Sequence, residues 1–195
     1  MSDYSIVALE PGTWDLFADL VERQGGLFGG CWCRWFHDGG SSVQGIEDSR
    51  AFKRRMVDEG IAHAALVVID GRAVAWAEYG TPEELPAIHH RKEYDATQVE
   101  PVDYRVTCIQ VDKTLRRQGL AAVALQGAVD LVAAAGGGVV EGYPHDLAEK
   151  KAQGKKVSSS FLYNGTRTMY ERLGFTYDRP KGQGNCVMRK VVEPA

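Results

Sequence analysis

Val111-Asp-Lys-Thr-Leu-Arg-Arg-Gln-Gly-Leu-Ala121 decides how the rest of this chain is read. Ahead of it, the alternating, β-branched run Arg105-Val-Thr-Cys-Ile-Gln-Val111 predicts a strand that begins near Val102. Behind it, Leu120, Val123, Ala124, Gly127, Ala128, Leu131 and Val132 recur at helical spacing and predict a helix as far as the Gly136-Gly-Gly138 break. A basic, glycine-bearing turn between strand and helix can leave several backbone N–H groups unpaired at the helix start, where the helix dipole also favours an anion. Gly119 lets a ligand approach the backbone, Ala121 keeps the first turn uncrowded, and Arg116 and Arg117 add fixed positive charge. The plainer alternative is a βα turn with an arginine pair in solvent. A short pattern with one strict glycine does not choose between them; the rest of the chain has to.

At 195 residues the chain can form one domain with a substantial core, and no linker or internal repeat divides residues 1–195. Apolar residues make up 44% and charged residues 25%, the balance of an ordinary globular protein. A net charge of −3 with no dominant basic face argues against nucleic acid as a partner. The sequence shows no N-terminal basic-then-apolar segment and no apolar run of membrane-spanning length, so a cytoplasmic protein without a membrane partner is expected. Cys31, Cys33, Cys108 and Cys186 are few for this length and are expected as reduced thiols.

Outward from the central stretch, residues 4–9 predict a first strand stopped by Pro11-Gly12. Thr13 is placed to cap a helix that carries Trp14, Phe17, Leu20 and Val21 to about Arg23. An aromatic stretch, Leu27-Phe-Gly-Gly-Cys-Trp-Cys-Arg-Trp-Phe-His37, leads through a polar turn to a second helix over residues 47–59, ended by Gly60. Residues 61–69 and 72–79 flank Asp70-Gly71, a strong hairpin signal. Residues 80–101 have no sustained period and read as one long connection. Beyond the central helix come a strand over 138–143, a lysine-rich loop or ragged helix over 146–160, a short helix over 168–173 capped by Thr166, and a closing hairpin around Lys181-Gly-Gln-Gly184. The order β-α-α-β-β-β-α-β-α-β-β is that of a mixed α/β sheet with helices on its faces.

Two motifs carry a resemblance. Arg116-x-x-Gly119-x-Ala121, after a strand ending at Val111, is similar to the acyl-CoA pyrophosphate loop of the GNAT superfamily of N-acyltransferases. Met169-Tyr170-Glu-Arg-Leu-Gly174-Phe175, one strand and one loop later, resembles that family's Tyr-x-x-x-Gly-Phe motif. The element order resembles the GNAT fold from the first strand to the closing hairpin. Many members carry an asparagine seven residues before that tyrosine; here Tyr163 stands there and Asn164 is adjacent. Gly30-Cys-Trp-Cys33, Glu83-Glu-Leu-Pro86 with Arg91-Lys-Glu-Tyr94, Val140-Glu-Gly-Tyr-Pro144 and Gly165-Thr166 also resemble a bacterial subgroup of uncharacterised acetyltransferases, which implies no substrate.

The resemblance implies acetyl-CoA as co-substrate, no metal, and direct transfer of the acetyl group to a primary amine of a small molecule or peptide in a ternary complex. It implies that the backbone of Ile109, Gln110 and Val111 pairs with the pantetheine arm like an added strand. The amides of Arg117, Gln118, Gly119, Leu120 and Ala121 would hold the pyrophosphate with Arg116 nearby, Asn164 would contact the cofactor, and Tyr170 would protonate the departing sulfur. A phenol is a proton donor at neutral pH and fits that role; a tyrosine packed on the sheet is the other reading. Glu78 lies near a strand end where the family often places a base. Period 2 puts it on a face with Val74 and Trp76, so partial enclosure is expected to raise its pKa. A solvated strand-end carboxylate is the alternative, and Glu83, Glu84, His89 and His90 are further candidates.

Cys31, Cys33 and His37 make a poor zinc set, because Cys-x-Cys stands without a second pair. A cysteine nucleophile lacks a clear base partner. Trp32, Trp35 and Phe36 are expected to pack or to wall the acceptor site, and Lys150, Lys151, Lys155 and Lys156 to form a solvated loop face. The competing function is an acyl-CoA-binding module that senses CoA without turnover. A nucleotide-binding domain is disfavoured, since the turn lacks Gly-x₄-Gly-Lys-Ser/Thr. The oligomeric state, a homodimer included, stays open.

Overall fold

The computed structural model of the chain describes residues 3–25, 30–148, 154 and 162–195. Its elements in order are β1 (Ser5–Ala8), α1 (Trp14–Arg23), α2 (Ile46–Asp58), β2 (His63–Ile69), β3 (Arg72–Gly80), α3 (Arg91–Thr97), β4 (Tyr104–Val111), α4 (Leu120–Ala134), β5 (Gly138–Gly142), α5 (Arg167–Arg172), β6 (Thr176–Lys181) and β7 (Asn185–Val192). The seven strands form one sheet in the order β1-β2-β3-β4-β5-β7-β6. Neighbours are antiparallel except β4 and β5, which run parallel over Tyr104–Val106 against Val140–Gly142.

Two apolar layers sandwich the sheet. The stripe Trp14, Phe17, Leu20 and Val21 of α1 packs with Phe52, Met56 and Val57 of α2 against Leu66, Trp76 and Cys108. On the other face Ala124, Leu125, Ala128 and Val129 of α4 cover Ala65, Val67, Ala75 and Ile109. Gly127 lets α4 lie close to the sheet, since a Cβ there would come within 2.9 Å of Ile6 and 3.2 Å of Ala65. The β2–β3 hairpin turns on Asp70 (φ 49°) and Gly71 (φ 73°), the left-handed pair that a two-residue turn needs.

Three features depart from the sequence expectations. Residues 80–101 contain α3, whose Arg91 pairs with Asp95 (2.7 Å) on the outside while Tyr94, fully buried, donates its hydroxyl to Glu141 (2.7 Å). Thr13 does not cap α1 with its side chain: its hydroxyl donates to the Ala8 carbonyl (2.6 Å) and accepts from the Glu10 amide (2.9 Å), holding the preceding turn. The sheet also carries bulges, two of them on β3 and β4. Val67 and Val68 pair with Ala75 and Ala73, which leaves Val74 as an extra residue; Glu78 and Tyr79 pair with Cys108 and Val106, which leaves Thr107 extra. A bulge breaks the period of 2. Glu78 therefore keeps Trp76 as a same-face neighbour, while Val74 packs in the α4 layer.

Beyond Gly142 the chain leaves β4. The Tyr143 carbonyl accepts from Asn185 Nδ2 (3.0 Å), the Pro144 carbonyl accepts from the Cys186 amide (3.0 Å), and His145 bridges to Thr166 and Asn185. The second half of β4 is thus free of a β5 partner, and a cleft opens there.

Candidate cofactor cleft and active site

The turn after β4 is built by local bonds. Asp112 starts a single 3₁₀ turn (Lys113–Leu115), its Oδ1 accepting from the Thr114 amide (2.9 Å) and hydroxyl (2.8 Å). Arg117 (φ 66°) and Gly119 (φ 83°) then take left-handed conformations, and α4 begins at Leu120. Among the described residues no acceptor stands opposite the amides of Gln118, Gly119, Leu120 and Ala121, while the Gly119 carbonyl receives the Ala122 (2.9 Å) and Val123 (3.2 Å) amides. A Cβ on Gly119 would meet nothing within 4 Å, so the space over this turn is open. Unpaired N–H groups converging at the start of a fifteen-residue helix form an anion site.

The turn forms one end of a cleft of about 530 Å³. Of the residues expected at the cofactor, Ile109, Gln110, Val111, Arg116, Arg117, Gly119, Leu120 and Ala121 line it. Gln118 does not form its wall, and Asn164 lies behind it, 6% exposed, with an Oδ1 that has no hydrogen-bond partner among the described residues. Across the cleft stand Tyr163, Thr166, Met169 and Arg172. Arg172 was missed in the sequence; its signal is the spacing of three from Met169, which puts a third cation on the cleft face of α5. The lysines at 150, 151, 155 and 156 lie outside the described residues.

One expectation for β4 is corrected. Successive residues of a strand present their backbone groups to opposite sides, and the Asp112 amide donates to Val74 on β3 (2.8 Å). Gln110 shares that side, so the groups turned toward the cleft are those of Ile109 and Val111. The Ile109 amide is already engaged, donating to the Tyr163 carbonyl at 2.6 Å. Three free consecutive residues along the arm are therefore not present in this conformation.

Tyr170 stands where β4 and β5 part. Thr166 caps α5 through the Met169 amide, and the next residue, Tyr170, is turned into the core, its ring edge-on to Phe175 (4.9 Å). A Cβ on Gly142 would fall 2.1 Å from its ring and 2.6 Å from its hydroxyl oxygen, so a glycine is required at the last paired residue of β5. The side chain is fully buried, and its hydroxyl has no hydrogen-bond partner among the described residues. Burial pushes the phenol pKa up, so the hydroxyl keeps its proton. Tyr170 does not line the cleft, whose wall here is Gly165, Thr166 and Met169; its hydroxyl is an unspent donor behind that wall.

Glu78 behaves in the opposite way. It is 1% exposed, its Oε1 takes a hydrogen bond from Lys53 Nζ (2.5 Å) and its Oε2 one from the Thr107 hydroxyl (2.8 Å). Lys53 is equally buried and also reaches His37 Nε2 (3.0 Å) and the Cys33 carbonyl (3.5 Å), which gives each ammonium proton an acceptor. His37 Nδ1 lies 3.0 Å from the Glu84 carbonyl; a carbonyl only accepts, so Nδ1 carries the proton and Nε2 is free to accept from Lys53. Burial pushes the Glu78 carboxyl up, but the charge of Lys53 against it outweighs that and holds the pKa down, to about 2. The expected raised pKa is thus reversed. The sequence did hold the signal for Lys53: with Ser49, Phe52, Met56 and Val57 it fills the buried stripe of α2.

The other candidates sit elsewhere. Glu84 is tied to the Thr81 amide (2.7 Å) and His63 (3.2 Å), His89 stacks on Trp35 (4.2 Å), and His90 precedes α3 at φ 56°. Glu83, His89 and His90 do not line the cleft. Trp32 is buried against Trp14 and Phe17, while Trp35 and Phe36 gather with His89 and Tyr163 beside the cleft. Cys33 faces Cys108 (2.9 Å between sulfurs), and burial raises the thiol pKa of Cys31 and Cys33, which leaves both protonated. Among the described residues no group of three or more His, Cys, Asp or Glu is placed to hold a metal, and no helix is long and apolar enough to cross a membrane.

No protein-family model matches the sequence, and no curated protein matches it. Solved structures do. A GNAT-family acetyltransferase candidate from Desulfovibrio desulfuricans matches 97% of this chain and 99% of its own at 17% identity and a TM-score of 0.52. The chain has the GNAT acetyltransferase fold. A GNAT-family acetyltransferase from Streptococcus pneumoniae matches 97% of this chain and 99% of its own at 12% identity and a TM-score of 0.51. A ribosomal-protein α-N acetyltransferase in complex with coenzyme A matches 100% of this chain and 97% of its own, at 12% identity and a TM-score of 0.50. At such identities the likeness fixes the GNAT fold and leaves the chemistry to the site.

Proposed function

We propose that the chain is an N-acetyltransferase that moves an acetyl group from acetyl-CoA directly to a primary amine of a small molecule or peptide. The observation that carries this reading is the run of unpaired amides from Gln118 to Ala121, of which Gly119, Leu120 and Ala121 line the cleft with Arg116 and Arg117. Four N–H donors and a helix N-terminus suit a pyrophosphate. Acetyl-CoA supplies an acyl group already activated toward amines, so the residues of the chain chiefly hold and orient. Val111 and, once released from Tyr163, Ile109 offer backbone groups to the pantetheine arm. Tyr170 donates its proton to the sulfur as the carbon–sulfur bond breaks and the carbon–nitrogen bond forms; the nitrogen then sheds its remaining extra proton to solvent, and the phenolate recovers one from solvent.

Glu78 is not carried into the proposal as the base. A sealed carboxylate held well below its ordinary pKa by Lys53 has little affinity for a proton. The ammonium proton of the acceptor leaves to solvent before attack. Incubation with acetyl-CoA and a panel of amines, followed by release of free thiol, tests the proposal; a protein that binds CoA yet releases none with any amine would count against turnover.

A further inference from the structure

Helix α1 ends in a pair of residues, Arg23 and Gln24, that grip the base of the anion turn from the opposite side of the sheet. Arg23 reaches three elements at once: its Nε pairs with Asp19 in its own helix (2.8 Å), its Nη2 donates to the Ala73 carbonyl of β3 (2.7 Å), and its Nη1 pairs with Asp112 Oδ2. Asp112 is 4% exposed and is the residue whose other oxygen caps the 3₁₀ turn. Its amide is fixed as well, donating to the carbonyl of the bulged Val74. One position further on, the Lys113 amide donates to the Gln24 side-chain oxygen (3.0 Å). The entry to residues 116–121 is therefore held by side chains that form no part of the cleft wall.

We infer that Arg23 is a positioning residue for the pyrophosphate: through Asp112 it fixes the direction in which the amides of Gln118 to Ala121 point. The inference rests on the reading that these amides hold the pyrophosphate of CoA. Donors fixed in advance bind more tightly than donors that must be ordered by the ligand, because the ordering entropy has already been lost. Without the Arg23 contact, Asp112 keeps its bonds to Thr114 and its amide bond to Val74, but its carboxylate loses its tie to α1, and the turn gains freedom.

The test compares Arg23→Met, which keeps the aliphatic stem and removes the donors, with Arg23→Lys and the wild type. Calorimetry with CoA should show affinity reduced on the order of tenfold in Arg23→Met, with part of the loss restored in Arg23→Lys. Amide ¹⁵N relaxation on the ligand-free variant should show greater mobility from Thr114 to Ala121 and none in the body of α4, a local signature that a general loss of stability would not produce. Asp112→Asn, which keeps the cap but lowers the charge on Arg23's partner, should fall between the two. Affinity within twofold of wild type, with turn amides as ordered as before, would overturn the clamp while leaving the cofactor reading in place. A wild-type protein that fails to bind CoA would remove both.

Discussion

The anion turn and the Lys53–Glu78–His37 cluster handle polar atoms in opposite ways. At the turn, four consecutive amides have no acceptor among the described residues, and the buried Tyr170 hydroxyl has none either. In the cluster every ammonium proton of Lys53 has an acceptor and both oxygens of Glu78 are engaged. Open amides near water cost the fold little. A sealed ion pair carries a desolvation penalty of several kcal/mol per ion, which only mutual satisfaction offsets. Burial and charge alone therefore do not mark chemistry in this molecule. On the proposed function the turn and Tyr170 serve the reaction, and Glu78 serves the scaffold.

The comparison breaks most visibly if the cluster is disturbed. Lys53→Met leaves Glu78 charged without its partner and should cost about 3–5 kcal/mol in urea unfolding, most of it recovered in the Lys53→Met, Glu78→Leu double variant. Unchanged stability with lost turnover would place the cluster in the chemistry instead. The pH dependence has a definite sign. A carboxyl whose folded pKa lies below its unfolded value stabilises the fold above the ordinary carboxylate range, and that stability disappears as pH falls toward the folded value of about 2. Stability of the wild type should decline from pH 5 to pH 3, and Glu78→Gln should show a shallower decline over the same interval.

A smaller effect is expected where β4 and β5 part. Gly142→Ala places a methyl 2.1 Å from the Tyr170 ring, which must move. Overpacking of this kind costs typically about 1–3 kcal/mol, and the same variant should lose turnover because the hydroxyl is displaced. A variant as stable and active as wild type would mean that Tyr170 is not held by Gly142.

The smallest change in stability belongs to Tyr170→Phe. Removing a buried hydroxyl without a partner should leave stability unchanged or raise it by up to about 1 kcal/mol, since no bond is lost. With an identified amine and chemistry rate-limiting, kcat should fall by ~10²-fold with little change in KM for acetyl-CoA. Wild-type kcat under those conditions would leave Tyr170 a packing residue, contrary to its role as donor.

Much of this was legible in the chain. The strand, turn and helix around Gly119 carry their own punctuation, and α1 and the β2–β3 hairpin follow from apolar period and Asp70-Gly71. Helix α3 was not legible because Tyr94 is its buried residue while its neighbours are polar, so no period exists to detect. The bulges at Val74 and Thr107 belong to the pairing between strands, which no single strand records. They reassign faces, and with them the surroundings of Glu78. Lys53 was hidden in a helix full of charges, where a lysine normally faces water, and only its place on the stripe with Phe52 and Met56 reveals it.

The central claim is that the amides from Gln118 to Ala121 are a pyrophosphate site, and titration of CoA into wild type, Gly119→Ala and Gly119→Glu by calorimetry addresses it most directly. Gly119 has φ 83° and open space where a Cβ would stand, so alanine reports the backbone strain and glutamate adds a negative charge in the path of the phosphates. The expected result is saturable one-to-one binding by the wild type, a modest loss for alanine, and a loss of at least about a hundredfold for glutamate, roughly 2.7 kcal/mol. Equal affinity for CoA in a folded Gly119→Glu variant, or no binding by the wild type, would contradict it.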